Sequence, residues 1–238
     1  MANIFNKIIT KLRETKYRYL FSRSNVRFSS NSTADISHDA RIANSIVVVS
    51  NGKVTIGKNC KLVNVSIYIN NGELNLGDWS IVKDCFIEIN EGKVSVSHHS
   101  KLQCKHIYAR FGGAIDIGCY TNLNHGTVVR AEQSVKIGSY CQISYYVNIW
   151  DTNTHNFHSI DERKRLAEVH YPEYGFEETH PPTKPVEIGD FCWIGEYASI
   201  MKGTTIGDNV IVGYHTMLLG DTIASNKKIV QKIELREL

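Results

Sequence analysis

The sequence predicts an all-β parallel solenoid in which short strands coil around a triangular core. Three observations support this fold class. A motif of apolar, any and apolar residue, followed mostly by glycine, recurs along the chain; a finer period of six residues runs through its last third; and the repeats contain no proline. With 238 residues, 42% apolar and 21% charged, the chain has the size and composition of a soluble globular domain.

The repeat is clearest at the residue before the glycine. Successive copies are 20, 20, 21, 20, 51 and 18 residues apart, at Ile56, Leu76, Val96, Ile117, Ile137, Ile188 and Ile206. Since eighteen residues make three hexads, each coil should have three strands and three corners, and about eight coils should stack at roughly 4.8 Å. A small residue four places after each aliphatic, such as Cys192, should fit the narrow interior. Proline within a face would remove a ladder hydrogen bond, which explains its absence.

The six cysteines are interpreted as buried small residues rather than as disulfide or metal ligands. No Cys-x-x-Cys pair occurs, and three cysteines (Cys60, Cys141 and Cys192) fall at the small interior position of the repeat.

The first 27 residues carry seven basic side chains and one acidic one, on what the apolar spacing predicts to be an amphipathic helix. We favour a helix that caps the first coil. The alternative is weak attachment to an anionic inner membrane surface, and nucleic-acid binding is disfavoured because the rest of the chain is slightly acidic. The longest apolar run has four residues and the N-terminal stretch is broken by basic residues, so neither a membrane span nor a signal peptide is expected. We therefore expect a cytoplasmic protein.

These features divide the chain into a basic N-terminal helix or cap (1–27), a solenoid (28–220) with an inserted active-site loop (150–185), and a short C-terminal tail (221–238). The insertion contains all four prolines and four of the ten histidines. Long excursions from a rigid scaffold are usually functional, so the chemistry is expected there.

The hexad, written aliphatic-Gly-x-x-small-x, resembles the repeat of the hexapeptide-repeat acyltransferases. The resemblance covers about residues 36–220. It implies a left-handed parallel β-helix, a homotrimer with active sites between subunits, and acetyl-CoA as co-substrate with no metal. The handedness follows from the resemblance, because the spacing alone does not determine it.

Residues 137–155 resemble the segment that precedes the catalytic histidine in sugar acetyltransferases of this superfamily. The resemblance implies His155 as the general base, for which histidine is suited because it titrates near neutral pH. Asp151 and Asn153 alternate with it and would orient its ring or hold the acceptor, and His158 is the competing base. The candidate acceptor-binding residues are Asn153, His158, Tyr146, Asn148 and Arg163.

Residues 185–209 resemble the acetyl-CoA-binding coils of the same superfamily. The implied pantetheine contacts are Trp193, Gly195, Ala198, Lys202, Gly213 and Thr216, with Lys227 and Lys228 near the nucleotide phosphates. The chain departs from the family in having Glu196-Tyr197 and Tyr214-His215 where small residues are usual, and its tail lacks the usual proline.

Three functions from different classes fit these patterns. The favoured one is an acetyl-CoA-dependent acetyltransferase acting on the hydroxyl or amino group of a sugar, or of a nucleotide-linked sugar, for surface polysaccharide such as O-antigen or lipopolysaccharide. The second is a metal enzyme like the γ-class carbonic anhydrases, which is disfavoured because no His-x4-His pair occurs. The third is a non-catalytic solenoid scaffold, which gives no reason for the insertion.

Overall fold

The computed structural model describes residues 21–173 and 177–232. Within these ranges the strands form three sheets of 10, 9 and 9 strands, all parallel, that make the three faces of a triangular prism. The predicted parallel β-solenoid is confirmed.

The strands follow one another around the prism, so that each coil contributes one strand to each sheet. Sheet 1 contains β1 (Phe21–Ser22), β4 (Arg41–Ala43), β7 (Lys61–Val63), β10 (Ile81–Lys83), β13 (Lys101–Leu102), β16 (Asn122–Leu123), β19 (Gln142–Ile143), β22 (Trp193–Ile194), β25 (Ile211–Val212) and β28 (Lys228–Ile229). Sheet 2 contains β2 (Asn25–Phe28), β5 (Ile46–Ser50), β8 (Ser66–Asn70), β11 (Phe86–Asn90), β14 (His106–Arg110), β17 (Val128–Ala131), β20 (Asn148–Trp150), β23 (Ser199–Met201) and β26 (Met217–Leu219). Sheet 3 contains β3 (Thr33–Ile36), β6 (Lys53–Ile56), β9 (Glu73–Leu76), β12 (Lys93–Val96), β15 (Ala114–Ile117), β18 (Ser134–Ile137), β21 (Val186–Ile188), β24 (Thr205–Ile206) and β27 (Thr222–Ile223).

The repeat aliphatics stack in register through the interior. Ile117 lies opposite Ile137, and Ile137 lies opposite Ile188 although 51 residues separate them in the chain. Side chains alternate between buried and exposed along the strands, as the two-residue period of a strand requires. The core is therefore one continuous column of aliphatic side chains.

Several side chains at the small interior position of the repeat also donate a hydrogen bond. The thiol of Cys60 donates to the carbonyl of Gly77 (3.1 Å), and the hydroxyl of Thr121 donates to that of Gly138 (2.7 Å). Cys141 bonds Gly189 in the same way. The predicted burial of these cysteines is confirmed, and the donors explain why serine, threonine and cysteine alternate there.

The corners are named here by the sheets they join: 1–2, 2–3 and 3–1. At the 3–1 corner, five exposed rings form a ladder along the prism: Trp79, His99, Tyr120, Tyr140 and Phe191. Their centroids are 4.9 to 6.0 Å apart and the planes nearly parallel. Each has φ between +54° and +63°, so these five coils turn this corner in the left-handed conformation.

The solenoid extends beyond the predicted limits of 28 and 220. Its first described strand is β1 and its last is β28, because Phe21 pairs with Ile42 and Ile229 pairs with Val212 in the same ladders as the other coils. The predicted tail thus begins inside the last coil. The predicted N-terminal helix lies, for residues 1–20, outside the described residues. No helix in the described ranges is long and apolar enough to span a membrane.

Candidate active site

The insertion leaves sheet 2 after β20 and re-enters sheet 3 at β21, at the 2–3 corner. Its two arms hold each other at the base: Thr152 and Thr183 form an antiparallel bridge, and the Lys184 N–H donates to the Asp151 carbonyl. The Asn153 N–H donates to the Pro182 carbonyl (3.2 Å). The start and the end of the loop are therefore fixed against the scaffold.

The loop contains helix α1 (Ile160–His170), which begins after Ser159, whose hydroxyl accepts from the Glu162 N–H. No residue of α1 is buried. Charged contacts hold it instead, since Arg165 bonds both Glu162 and Glu178, each at 2.7 Å, and His170 also meets Glu178.

His155 is paired with a buried carboxylate. Its Nδ1 lies 2.8 Å from Oε1 of Glu177, whose side chain is 4% exposed, whereas the His155 side chain is 56% exposed. An ionised carboxylate accepts from Nδ1–H, which leaves the lone pair on Nε2, the tautomer that a general base needs. Sequence reasoning missed Glu177, which follows His155 by 22 residues in a segment without periodicity.

The remaining contacts of Glu177 keep it ionised. Its Oε2 accepts from the Asn156 amide (2.8 Å) and lies 3.3 Å from His158 Nε2. Burial favours the neutral form, but the hydrogen bonds from Asn156, His155 and His158 outweigh it and hold the pKa of Glu177 below its usual value. His158 thus joins the same carboxylate as His155.

Asp151 does not orient His155, so the predicted catalytic role of Asp151 is wrong. Its side chain is fully buried at the 2–3 corner. One oxygen accepts from the Glu132 N–H (2.8 Å), and the other accepts from Gln133 and Ser134 (2.7 and 2.6 Å). The carboxylate is fully used in closing the corner of the preceding coil.

The other predicted acceptor residues do not gather around His155 in one chain. Tyr146 lies at the 1–2 corner, at the opposite edge of sheet 2, and stacks on Tyr197 at 5.1 Å. Asn148 lies in β20, where its N–H donates to the Ala198 carbonyl. Arg163 is exposed in the first turn of α1.

Two of the predicted acetyl-CoA contacts have side chains that lie in the core, so a contact there would involve their backbone groups. Ala198 and Thr216 are 0% and 2% exposed. Their N–H groups donate to the carbonyls of Gly195 and Gly213. Their carbonyls accept from the N–H groups of Asn148 and Ser199 in the preceding coil. Gly195 and Gly213 stack so closely that a Cβ on Gly195 would lie 2.7 Å from the carbonyl carbon of Gly213.

The side chains of that set that are not buried lie on two different parts of the prism. Trp193 and Lys228 stand in one column on sheet 1, each opposite Ile211 of the strand between them, and Lys227 adjoins Lys228. Lys202 lies instead at the 2–3 corner, beside the loop, where the Gly203 N–H donates to Lys184. Of this set, Lys202 is the residue that lies at the corner from which the loop leaves the prism.

An aromatic and basic surface lies on sheet 2 next to the loop. The guanidinium groups of Arg110 and Arg130 lie 5.6 and 5.0 Å from the centre of the Tyr108 ring. Arg110 also covers Phe111 at 4.7 Å, and Phe111 meets His180 of the loop at 5.1 Å. Rings and fixed donors of this kind suit a polyhydroxylated ligand. No group of three His, Cys, Asp or Glu side chains placed to hold a metal ion occurs in the described ranges.

Comparison with known proteins gives a family match for the coils after the loop. Residues 185–220 match the family described as bacterial transferase hexapeptide (six repeats). A curated relative from Saccharomyces cerevisiae (strain ATCC 204508 / S288c), "Putative acetyltransferase YJL218W", is 30% identical over 132 residues, which cover 53% of this chain and 60% of the relative. The chain thus spans less than two thirds of that relative's length.

Two solved structures resemble most of the chain. The polySia-specific acetyltransferase NeuO matches with a TM-score of 0.53 and 21% identity, over 90% of this chain and 84% of that one. The polysialic acid O-acetyltransferase OatWY matches with a TM-score of 0.49 and 21% identity, over 88% and 80%. The first likeness shows the fold. The chain therefore has the left-handed parallel β-helix fold of the hexapeptide-repeat acyltransferases, and its residues 185–220 carry the repeat of that family.

Proposed function

We propose that the protein transfers the acetyl group of acetyl-CoA to a hydroxyl or amino group of a sugar, with His155 as the general base. The observation that carries the proposal is the His155–Glu177 pair, in which a buried carboxylate holds one ring nitrogen of a half-exposed histidine. The family match at residues 185–220 and the acetyltransferase relatives support the choice of acetyl transfer.

In this mechanism Nε2 of His155 removes the proton from the acceptor group as its oxygen or nitrogen attacks the thioester carbonyl. Glu177 stabilises the imidazolium that forms. When the carbon–sulfur bond breaks, the imidazolium returns the proton to the CoA thiolate, so that the products are the acetylated acceptor and CoA thiol. Each part of this cycle uses the geometry in which Nδ1 stays bonded to Glu177.

The acceptor is proposed to be a sugar of a surface polysaccharide or its nucleotide-linked precursor, in the cytoplasm. The aromatic and basic surface around Tyr108 and Arg110 supports a sugar, because rings and guanidinium groups there adjoin the loop that carries His155. The separation of Trp193, Lys227 and Lys228 from His155 within one chain favours a homotrimer in which sheet 1 of one subunit faces the loop of another.

The test measures CoA thiol release from acetyl-CoA with a panel of sugars, nucleotide-linked amino sugars and polysaccharides. We expect acceptor-dependent release that falls about 10²- to 10⁴-fold in His155→Ala. The matched control is His38→Ala, since the His38 side chain is 89% exposed and lies in the early coils. Wild-type turnover in folded His155→Ala would refute the role of His155 as general base. If calorimetry detects no acetyl-CoA binding, the non-catalytic solenoid is favoured instead.

A further inference from the structure

The residue before His155 has an unusual backbone conformation. Thr154 has φ of +67°, in the left-handed region that β-branched residues rarely adopt. Such a conformation persists only where the surroundings hold it, and it is typical of functional sites. The direction in which the chain reaches His155 depends on this residue.

Both backbone polar groups of Thr154 are held by side chains. Its N–H donates to the Thr152 hydroxyl (2.9 Å), and its carbonyl accepts from a terminal nitrogen of Arg110 (3.0 Å). Arg110 belongs to β14, 44 residues earlier in the chain. The scaffold therefore holds Thr154 from two sides.

The two holding side chains meet at one carboxylate. The Thr152 hydroxyl donates to Oε2 of Glu132 (2.9 Å), and Nε of Arg110 donates to Oε1 (2.7 Å). A hydroxyl has one donor and free acceptor capacity, so Thr152 can bond Glu132 and Thr154 at once. The Glu132 side chain is 0% exposed, and the second cation on Oε1 is Arg130, at 3.1 Å.

Glu132 also faces the loop through its backbone. The Glu132 N–H is one of the three that donate to the Asp151 carboxylate. The Glu132 carboxylate in turn accepts from the hydroxyl of Thr152, the residue after Asp151. The side chain of each acid thus bonds the segment that carries the other acid, which joins the coil to the start of the loop. Burying a carboxylate with two guanidinium groups costs desolvation free energy. This group lies where the chain leaves the scaffold towards His155.

We propose that Glu132 is a positioning residue for His155: it fixes the backbone of Thr154 through Thr152 and Arg110, while Glu177 orients the ring. Glu132 touches neither the acceptor nor the thioester. This inference rests on the proposed function only for its effect on turnover, because the geometry of His155 can be measured without a substrate.

The experiment compares Glu132→Gln with the wild type in the full chain. We expect kcat to fall about 10- to 100-fold, the loss that a displacement of about 1 Å causes, with KM for acetyl-CoA unchanged within about twofold. In protein labelled with ¹⁵N-histidine, the Nδ1–H signal of His155, assigned by its absence in His155→Ala, should broaden or shift. The matched control is Asp78→Asn, which removes a corner carboxylate that accepts from the Lys58 N–H (2.7 Å) in the early coils and should leave the signal and kcat unchanged.

A second pair of variants covers the case in which Glu132→Gln fails to fold. Thr152→Val keeps the shape but removes both hydrogen bonds of the hydroxyl, whereas Thr152→Ser keeps them. Thr152→Val should lower kcat and change the His155 signal, and Thr152→Ser should do neither. Wild-type kcat and an unchanged His155 signal in Glu132→Gln or Thr152→Val would overturn the positioning role. If the wild type transfers no acetyl group, the proposed function fails, and the NMR signal still decides the positioning role.

Discussion

The Nδ1 atom of His155 lies 2.8 Å from Oε1 of Glu177, 22 residues further along the chain. The two residues belong to opposite arms of one loop, and the pair forms because the arms are joined at their base by the Thr152–Thr183 bridge. The scaffold thus supplies the fixed ends of the loop, and the loop itself supplies both partners.

Glu177→Gln should lower kcat about 10- to 100-fold while leaving KM for acetyl-CoA nearly unchanged, because the amide no longer stabilises a positive imidazolium during proton transfer. The neighbouring Glu178→Gln is the control, since Glu178 bonds Arg165 and His170 but not His155. Steady-state kinetics of both variants test this. Equal kcat values for the two variants would contradict the pairing.

The contribution of Glu177 to stability should depend on pH. Its folded-state pKa is lowered by Asn156, His155 and His158 against the effect of burial, so its stabilisation is present above the ordinary value of 4.5 and is lost as the pH falls through the lowered one. The difference in unfolding free energy between wild type and Glu177→Gln should therefore shrink as the pH falls below about 4.5. Urea unfolding of both proteins at a series of pH values measures this difference. A difference in unfolding free energy that grows on acidification would contradict the prediction.

Asp151→Asn should destabilise the fold by about 2–4 kcal/mol. Both carboxylate oxygens accept backbone N–H groups, so whichever way an asparagine amide turns, its NH₂ faces a donor. Chemical denaturation against Asp161→Asn, in the exposed first turn of α1, tests this. Unchanged stability together with lost turnover would instead restore a catalytic role for Asp151.

One thiol per chain should react with a disulfide reagent in the native protein. Five of the six cysteines are buried and only Cys119 is partly exposed. Cys85 and Cys104 lie with their sulfurs 3.0 Å apart; their mutual hydrogen bond and their burial raise the pKa of the Cys85 thiol. Spectroscopic titration should give one thiol in the native wild type, none in native Cys119→Ser, and six in the denatured wild type. Rapid native reaction of further thiols would show that the coils are more open.

The ring ladder at the 3–1 corner should stabilise the prism. Tyr120→Ala removes stacking on His99 and Tyr140 and should lower the unfolding free energy by about 1–3 kcal/mol, at about 0.5–1.5 per ring pair. Tyr120→Phe should change it by less than about 0.5 kcal/mol. Tyr120→Asn removes the ring but keeps a residue suited to positive φ. If it lowers the unfolding free energy as much as Tyr120→Ala does, the effect comes from stacking. If it is as stable as the wild type, the effect comes from the backbone conformation.

The hexad period predicted the coils well because the interior admits only aliphatics such as Ile137 and Ile188 in register. The same rule placed Ala198 and Thr216 inside, and the structure confirms that they are buried. The family resemblance suggested them as cofactor contacts; their side chains are not accessible for such a contact, and one through their backbone groups stays a prediction. Spacing alone was the better guide for residues within the coils.

The loop was less predictable, because nothing periodic constrains it. Alternation along an extended segment suggested that Asp151 and His155 would work together. Instead, Asp151 is buried on three backbone N–H groups of the preceding coil, and the chain leaves the prism between the two residues. Neither Glu177 nor Glu132 has a spacing signal, since the contacts of both to the segment around His155 depend on how the loop folds back and how the coils stack.

The ladder of sheet 3 passes beneath the insertion without a break, with Val135 opposite Val186. The ends of the loop are therefore brought together by the coils, and the entropy of closing a longer loop rises only slowly, by about 0.6 kcal/mol for each doubling in length. Natural variation can therefore lengthen, shorten or rewrite the part of this segment beyond Asp151 while the coils keep their fold. The sequence of the loop can in this way diverge while the stacked coils that carry it stay the same.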